Sequence, residues 1–178
     1  MLRSLVLNQC TTGAHVDDLL RRALVSCWLD VSNAGGAVGF PVPPVPEDEV
    51  VRAVDALISE LHPDRCRLLT ASDGRGLAGW LVLHRDPAPL VAHRASVHRV
   101  QSRPERRGEG VGTRLMTFAR EVARDELGVE QLQLTARSGM GLEEFYAKLG
   151  WREIGRWPGA LRIAPGDDRD EILLHLPL

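Results

Sequence analysis

The sequence predicts a mixed α/β fold, a mixed sheet with helices on both faces. Two stretches with helical apolar spacing open the chain, three strand-like runs follow, and helix and strand patterns then alternate to the C-terminus. The 178 residues are 44% apolar and 26% charged, the balance of an ordinary globular chain with a sizeable core. One domain over 1–178 is the expectation, and no internal repeat is visible.

Residues 4–11, SLVLNQCT, read as a first strand. From Val16 the apolar positions Leu19, Leu20, Ala23, Leu24, Cys27, Trp28 and Val31 keep helical spacing, and Asp17 and Asp18 favour the positive end of that helix. The following SNAGGAVGFPVPPVP is too rich in Gly and Pro for helix or central strand. A second helix starts near Pro46 with Glu47, Asp48 and Glu49 in its first turn, buries Val50, Val51, Val54, Leu57, Ile58 and Leu61, and ends at His62-Pro63. CRLLTAS and LAGWLVLH read as strands joined by DGRG, and ASVHRVQS as a third. Val111, Leu115, Phe118, Ala119, Val122 and Leu127 share one helical face. VEQLQLTA alternates as a strand does. GLEEFYAKLG is a short helix stopped by Gly150, and WREIGRW and DEILLHL are the last strands.

Composition excludes several classes of function. A net charge of -2 with scattered arginines and a single lysine, Lys148, gives no field for nucleic acid. No apolar run approaches the roughly 20 residues that span a bilayer, and MLRSLVLNQC has no adequate signal-peptide core. Cys10, Cys27 and Cys66 form neither a disulfide framework nor a zinc site, so free thiols in a reducing cytoplasm are expected. His15, His62, His84, His93 and His175 show no metal spacing, and no metal is expected.

Two glycine-rich stretches compete as ligand motifs. GRGLAG, residues 74–79, matches the dinucleotide fingerprint, which must leave a strand and open a helix. Here it opens WLVLH, rich in strand formers, and follows SDG, which is hairpin chemistry. A hairpin without nucleotide is expected. RRGEGVG, residues 106–112, instead lies between a strand and a helix. The first turn of a helix offers free N–H groups and the positive end of a dipole, and glycines let an anion approach them. No G-K-[ST] follows, so this is not a Walker loop. Anion binding is one reading, a tight strand-to-helix turn without ligand the other.

SRPERRGEGVGTRLM resembles motif A of the Gcn5-related N-acetyltransferases, (Arg/Gln)-x-x-Gly-x-(Gly/Ala), carried here by Arg107, Gly110 and Gly112 with Pro104 three residues before. EEFYAKLGW, Glu143–Trp151, resembles motif B. The match runs from about residue 66 to the end. GGAVGF at 35–40, HRASV at 93–97 and WPGALRIAPGDD at 157–168 are similar to the tabtoxin-resistance acetyltransferases and their actinobacterial relatives.

The resemblance implies a mostly antiparallel central sheet with splayed strands, acetyl-CoA as cofactor, and an amine as acceptor. It places the pyrophosphate on backbone N–H groups of Arg107, Gly108, Glu109, Gly110, Val111, Gly112 and Thr113, and the pantetheine arm on the strand edge Val100, Gln101 and Ser102. It makes Tyr146, the only tyrosine, the acid that protonates the leaving thiolate. A phenol is protonated at neutral pH and can donate.

Relatives carry Glu where Ser96 stands and Asp where Thr135 stands, so both carboxylates are missing. His98 shares the strand face of Ser96 and has the chemistry of a base at neutral pH. Asp86, Glu60 or a water chain are the alternatives. Relatives often have Asn at Gly139, which removes one pantetheine contact. The expected function is transfer of acetyl to a primary amine of a small molecule, an amino acid or an amino-bearing antibiotic or toxin. Alternatives are a protein N-acetyltransferase and a non-catalytic acyl-CoA sensor. No nucleic acid or membrane partner is expected, and a homodimer is left open.

Overall fold

The computed structural model describes residues 5–36, 38–40 and 43–178. Ser4 of the expected first strand, and residues 37, 41 and 42 of the expected loop, lie outside them.

Seven strands form one sheet: β1 Val6–Cys10, β2 Cys66–Asp73, β3 Gly76–His84, β4 Arg94–Ser102, β5 Gln131–Arg137, β6 Arg152–Ala164 and β7 Asp167–Pro177, in the order β1-β2-β3-β4-β5-β7-β6. Every neighbouring pair is antiparallel except β4 with β5. The helices are α1 Asp18–Asn33, α2 Glu47–Glu60, α3 Val111–Glu121 and α4 Leu142–Lys148. Asp17 caps α1, its carboxylate accepting the Leu20 N–H at 2.8 Å. After Glu121 the chain turns on as a π-helical segment, Val122–Glu126.

Period-two alternation in the central strands feeds two cores. Leu68, Trp80 and Val82 pack with Leu24, Trp28 and Val31 of α1 and Val50, Val54 and Leu57 of α2. Leu69, Leu81 and Leu83 point the other way, to Val111, Leu115, Met116 and Ala119 of α3. That second core runs on beneath β5 and β7 through Leu132, Leu134, Ile172 and Leu174. Helices therefore cover both faces, as expected.

GRGLAG is a hairpin. β2 and β3 pair to Asp73↔Gly76, and Gly76 takes φ +102°. Gly79 serves close packing, because a Cβ there would lie 2.5 Å from the Gln101 carbonyl oxygen and 2.8 Å from Val111 Cγ1.

The last two strands are longer than expected. β6 runs through Pro158 and Gly159, where its register against β7 shifts between Trp157 and Leu161. β6 is an edge strand, where a proline and a bulge are tolerated without breaking an inner ladder.

Two irregularities position the site. β4 and β5 pair only over Arg94–Ser96 against Gln131–Gln133, and the strands then part. In β4, His98 faces Val82 and Gln101 faces Trp80, so Arg99 and Val100 together oppose the single Leu81. This is a β-bulge, and Arg99 there takes φ +56°.

Candidate active site

A cavity of about 990 Å³ opens where β4 parts from β5. Its lining comes from β4, β5, the start of β2, the end of β3, the glycine-rich turn and start of α3, α4, the ends of α1 and α2, and the loop after α1.

One end is the glycine-rich turn. Pro104–Arg106 forms a short 3₁₀ turn, Gly108 and Gly110 take φ +80° and +78°, and α3 begins at Val111. These left-handed conformations suit glycine, which has no Cβ to strain. A Cβ on either glycine would meet nothing within 4 Å, so the space above them is open to a ligand. The Arg107 N–H donates to the Pro104 carbonyl and the Glu109 N–H to the Arg106 carbonyl, each at 3.3 Å. The first bond of the helix runs from the Arg114 N–H to the Gly110 carbonyl at 3.0 Å. The N–H groups of Val111, Gly112 and Thr113 precede it and have no partner within the helix. Of the expected N–H row, the turn itself thus uses Arg107 and Glu109 and leaves Gly108 and Gly110–Thr113.

The Glu109 side chain points away from the cavity into a clamp. Arg106, 5% exposed, meets Asp73 at 2.7 Å and Glu109 at 2.7 Å, and Arg75 meets Glu109 at 2.7 Å. The Arg75 N–H, then Arg106, holds the Asp73 carboxyl below the usual carboxylate range. The first arginine of RRGEGVG therefore ties the turn to the β2–β3 hairpin, and the exposed second, Arg107, lines the cavity.

Val100, Gln101 and Ser102 line the gap along β4. Gln101 is buried and its Oε1 has no partner. Across the gap, Tyr146 of α4 is held edge-on by Phe145 at 5.0 Å and Trp151 at 6.0 Å between ring centroids. Burial pushes its phenol up to about 12.

His98 also lines the cavity, its ring 6.2 Å from that of His84. His98 is exposed to the cavity; partial desolvation by the surrounding wall, then the charges of His84 and Arg99, lowers its pKa, so the neutral imidazole is favoured. Thr135 lines the cavity too. The Ser96 hydroxyl instead accepts a hydrogen bond from Gln133 Nε2 at 2.8 Å, across the parallel pair. The Asp86 carboxylate caps its own turn, accepting the Ala88 N–H at 2.9 Å. Glu60, at the end of α2, is the one carboxylate among the lining residues described.

Three lining residues had no signal in the sequence. Arg99 reaches the cavity through the bulge. Arg137, where β5 ends, donates from Nη2 to the Gly35 carbonyl at 2.7 Å and so ties β5 to the loop after α1. Cys66 is buried, and its thiol is pushed up to about 11 by that burial. Gly139 takes φ +78°, a backbone state that favours glycine at that position. Among the described residues no group of three or more His, Cys, Asp or Glu is placed to hold a metal, and no helix is long and apolar enough to cross a membrane.

Fold and cavity together define one class of protein, the Gcn5-related acetyltransferases. The model of the Acetyltransferase (GNAT) family matches residues 21–151, and the chain belongs to this family. It is similar in fold to a GCN5-related N-acetyltransferase from Kribbella flavida, 21% identical over 98% of each chain with a TM-score of 0.77. A ribosomal-protein-alanine N-acetyltransferase from Brucella melitensis is 17% identical, over 97% of this chain and 99% of its own, with a TM-score of 0.74. A nourseothricin acetyltransferase is 28% identical over 65% of this chain and 66% of its own, with a TM-score of 0.56.

Proposed function

We propose that this chain, working as a single domain, transfers the acetyl group of acetyl-CoA to the primary amine of a small molecule. One observation carries the reading. The parting of β4 from β5 opens a continuous cavity from the unpaired N–H groups of the α3 first turn, past Tyr146, to His98 and Glu60.

The N–H groups of Gly108 and Gly110–Thr113 suit a pyrophosphate, being unpaired, beside the open space over Gly108 and Gly110, and at the positive end of a helix. Arg107 adds a cation at the same mouth. The edge of β4 from Val100 to Ser102 is released from β5 and suits the amides of a pantetheine arm by strand addition. Acetyl-CoA, when bound, supplies a thioester open to attack by an amine. Tyr146, lining the same cavity, would hold its proton for the departing sulfur. An ordinary thiol has a pKa of about 8.5, so full transfer from a phenol at about 12 is uphill. A hydrogen bond from the Tyr146 hydroxyl to the developing thiolate is the more economical role. The neutral His98 imidazole takes the proton of the amine, with Glu60 or a water chain as the alternative acceptor.

A small acceptor is favoured over a protein tail because the loop after α1 is tied across to β5 by Arg137. The non-catalytic sensor stays the rival, on the ground that neither Ser96 nor Thr135 is a carboxylate. Purified protein with acetyl-CoA and a panel of amines separates them. The transferase releases free coenzyme A thiol only when an amine is added, and a sensor binds acetyl-CoA without release.

A further inference from the structure

We propose that Arg99 reads a carboxylate on the acceptor, so that the acceptor is an amino acid or a close analogue with both an amine and a carboxylate. The inference rests on the transferase reading above and names its substrate class.

Arg99 is held where it is by two independent features. It is the one non-glycine residue with positive φ among those described, +56°, a backbone state that persists where the surroundings impose it and that clusters at functional sites. Its guanidinium also lies 4.8 Å from the centroid of the Trp28 ring. Trp28 is in turn fixed by its Nε1–H donating to the Val38 carbonyl at 2.9 Å and by edge contact with Trp80 at 5.1 Å. The cation is therefore pre-oriented, which lowers the ordering cost of using it.

Its donors are nonetheless unused. Two of the other cavity arginines are already engaged: Arg106 pairs with Asp73 and Glu109, and Arg137 donates to the Gly35 carbonyl. Arg107 stands at the glycine turn, at the other end of the cavity from His98 and Glu60. Arg99 makes no side-chain hydrogen bond or ion pair with any described residue. Glu60 acts on it electrostatically, but surrounding protein disfavours its charge more strongly. Exposed to the cavity and without a partner, this guanidinium is free to take a ligand anion, and its planar fork matches a carboxylate with two parallel bonds. Arg99 directly follows His98 on the bulge, so the anion it holds would place an attached amine in reach of the proposed base.

The test uses L-amino acids, each matched with its carboxamide and its decarboxylated amine, titrated by calorimetry into the protein saturated with coenzyme A. The expected result is binding of at least one acid roughly 10- to 100-fold tighter than its two partners that lack the carboxylate, the range for a hydrogen bond to a charged group. Arg99→Gln should abolish that preference while coenzyme A still binds, which shows the variant is folded. Arg99→Lys keeps the charge over Trp28, loses the fork, and should retain part of the preference. The proposal is overturned if no acid outbinds its carboxamide, or if the preference survives Arg99→Gln. The same panel with acetyl-CoA separates the two readings. Preference in binding without thiol release overturns the transferase and keeps Arg99. Thiol release from amines with no acid preference does the reverse.

Discussion

In the proposed reaction Tyr146 and His98 divide the chemistry between an acid and a base, because desolvation acts on the two in opposite directions. Burial keeps the phenol neutral, and partial desolvation lowers the histidine, so both groups stand at neutral pH in the form the proposed reaction needs. Tyr146→Phe keeps the ring between Phe145 and Trp151 and removes one donor. Its kcat should fall roughly 10²- to 10³-fold, the loss typical for a single oxyanion donor, with acetyl-CoA affinity almost unchanged by calorimetry. Turnover at the wild-type rate would remove Tyr146 from the mechanism. For His98 the sign follows from its lowered pKa. The base is inactive when protonated, so kcat/KM should rise with pH through an inflection below the ordinary value of about 6.5. His98→Ala should erase that inflection and lower the rate by about 10²- to 10⁴-fold. An inflection that survives the substitution hands the proton to Glu60 or water. Tyr146 and the glycines were legible in the sequence because their neighbours carry a motif. Arg99 was not, since a bulge that turns it to the cavity leaves no mark in an alternating strand.

At the scale of elements, the site depends on where two strands stop pairing. The glycine turn is clamped by Arg106 to the β2–β3 hairpin, and Gly79 lets β3 approach the end of β4. Gly79→Ala tests that packing, because its Cβ would meet backbone oxygen and Val111 rather than a flexible side-chain end. Overpacking of this kind costs about 1–3 kcal/mol, to be read as a lower urea midpoint with an unchanged m-value. Wild-type stability would mean that the strand end yields at no cost. Most elements were legible because apolar spacing and Gly or Pro punctuation agree, as in α2 and the β2–β3 hairpin. β6 was not read to its full length, because Pro158 and Gly159 look like a terminus and are instead absorbed at an unpaired edge. The parting of β4 and β5 follows from register between distant strands, which the local pattern in neither strand encodes.

For the molecule as a whole, the mixed sheet with helices on both faces was visible in the order of patterns, while the strand order β1-β2-β3-β4-β5-β7-β6 was not. The two cores explain how the cavity can exist. α1 and α2 cover one face of the first strands, α3 anchors the other, and the interior opens between β4 and β5. In the proposed reaction the donor would enter such a cavity along β4 and the acceptor would meet it beside the bulge. The most direct test of that account is release of coenzyme A thiol by purified protein, followed in acetyl-CoA with and without carboxylate-bearing amines. The account predicts amine-dependent release that saturates with both substrates. Tight binding of acetyl-CoA with no release by any amine across neutral and alkaline pH would contradict it and leave an acyl-CoA sensor.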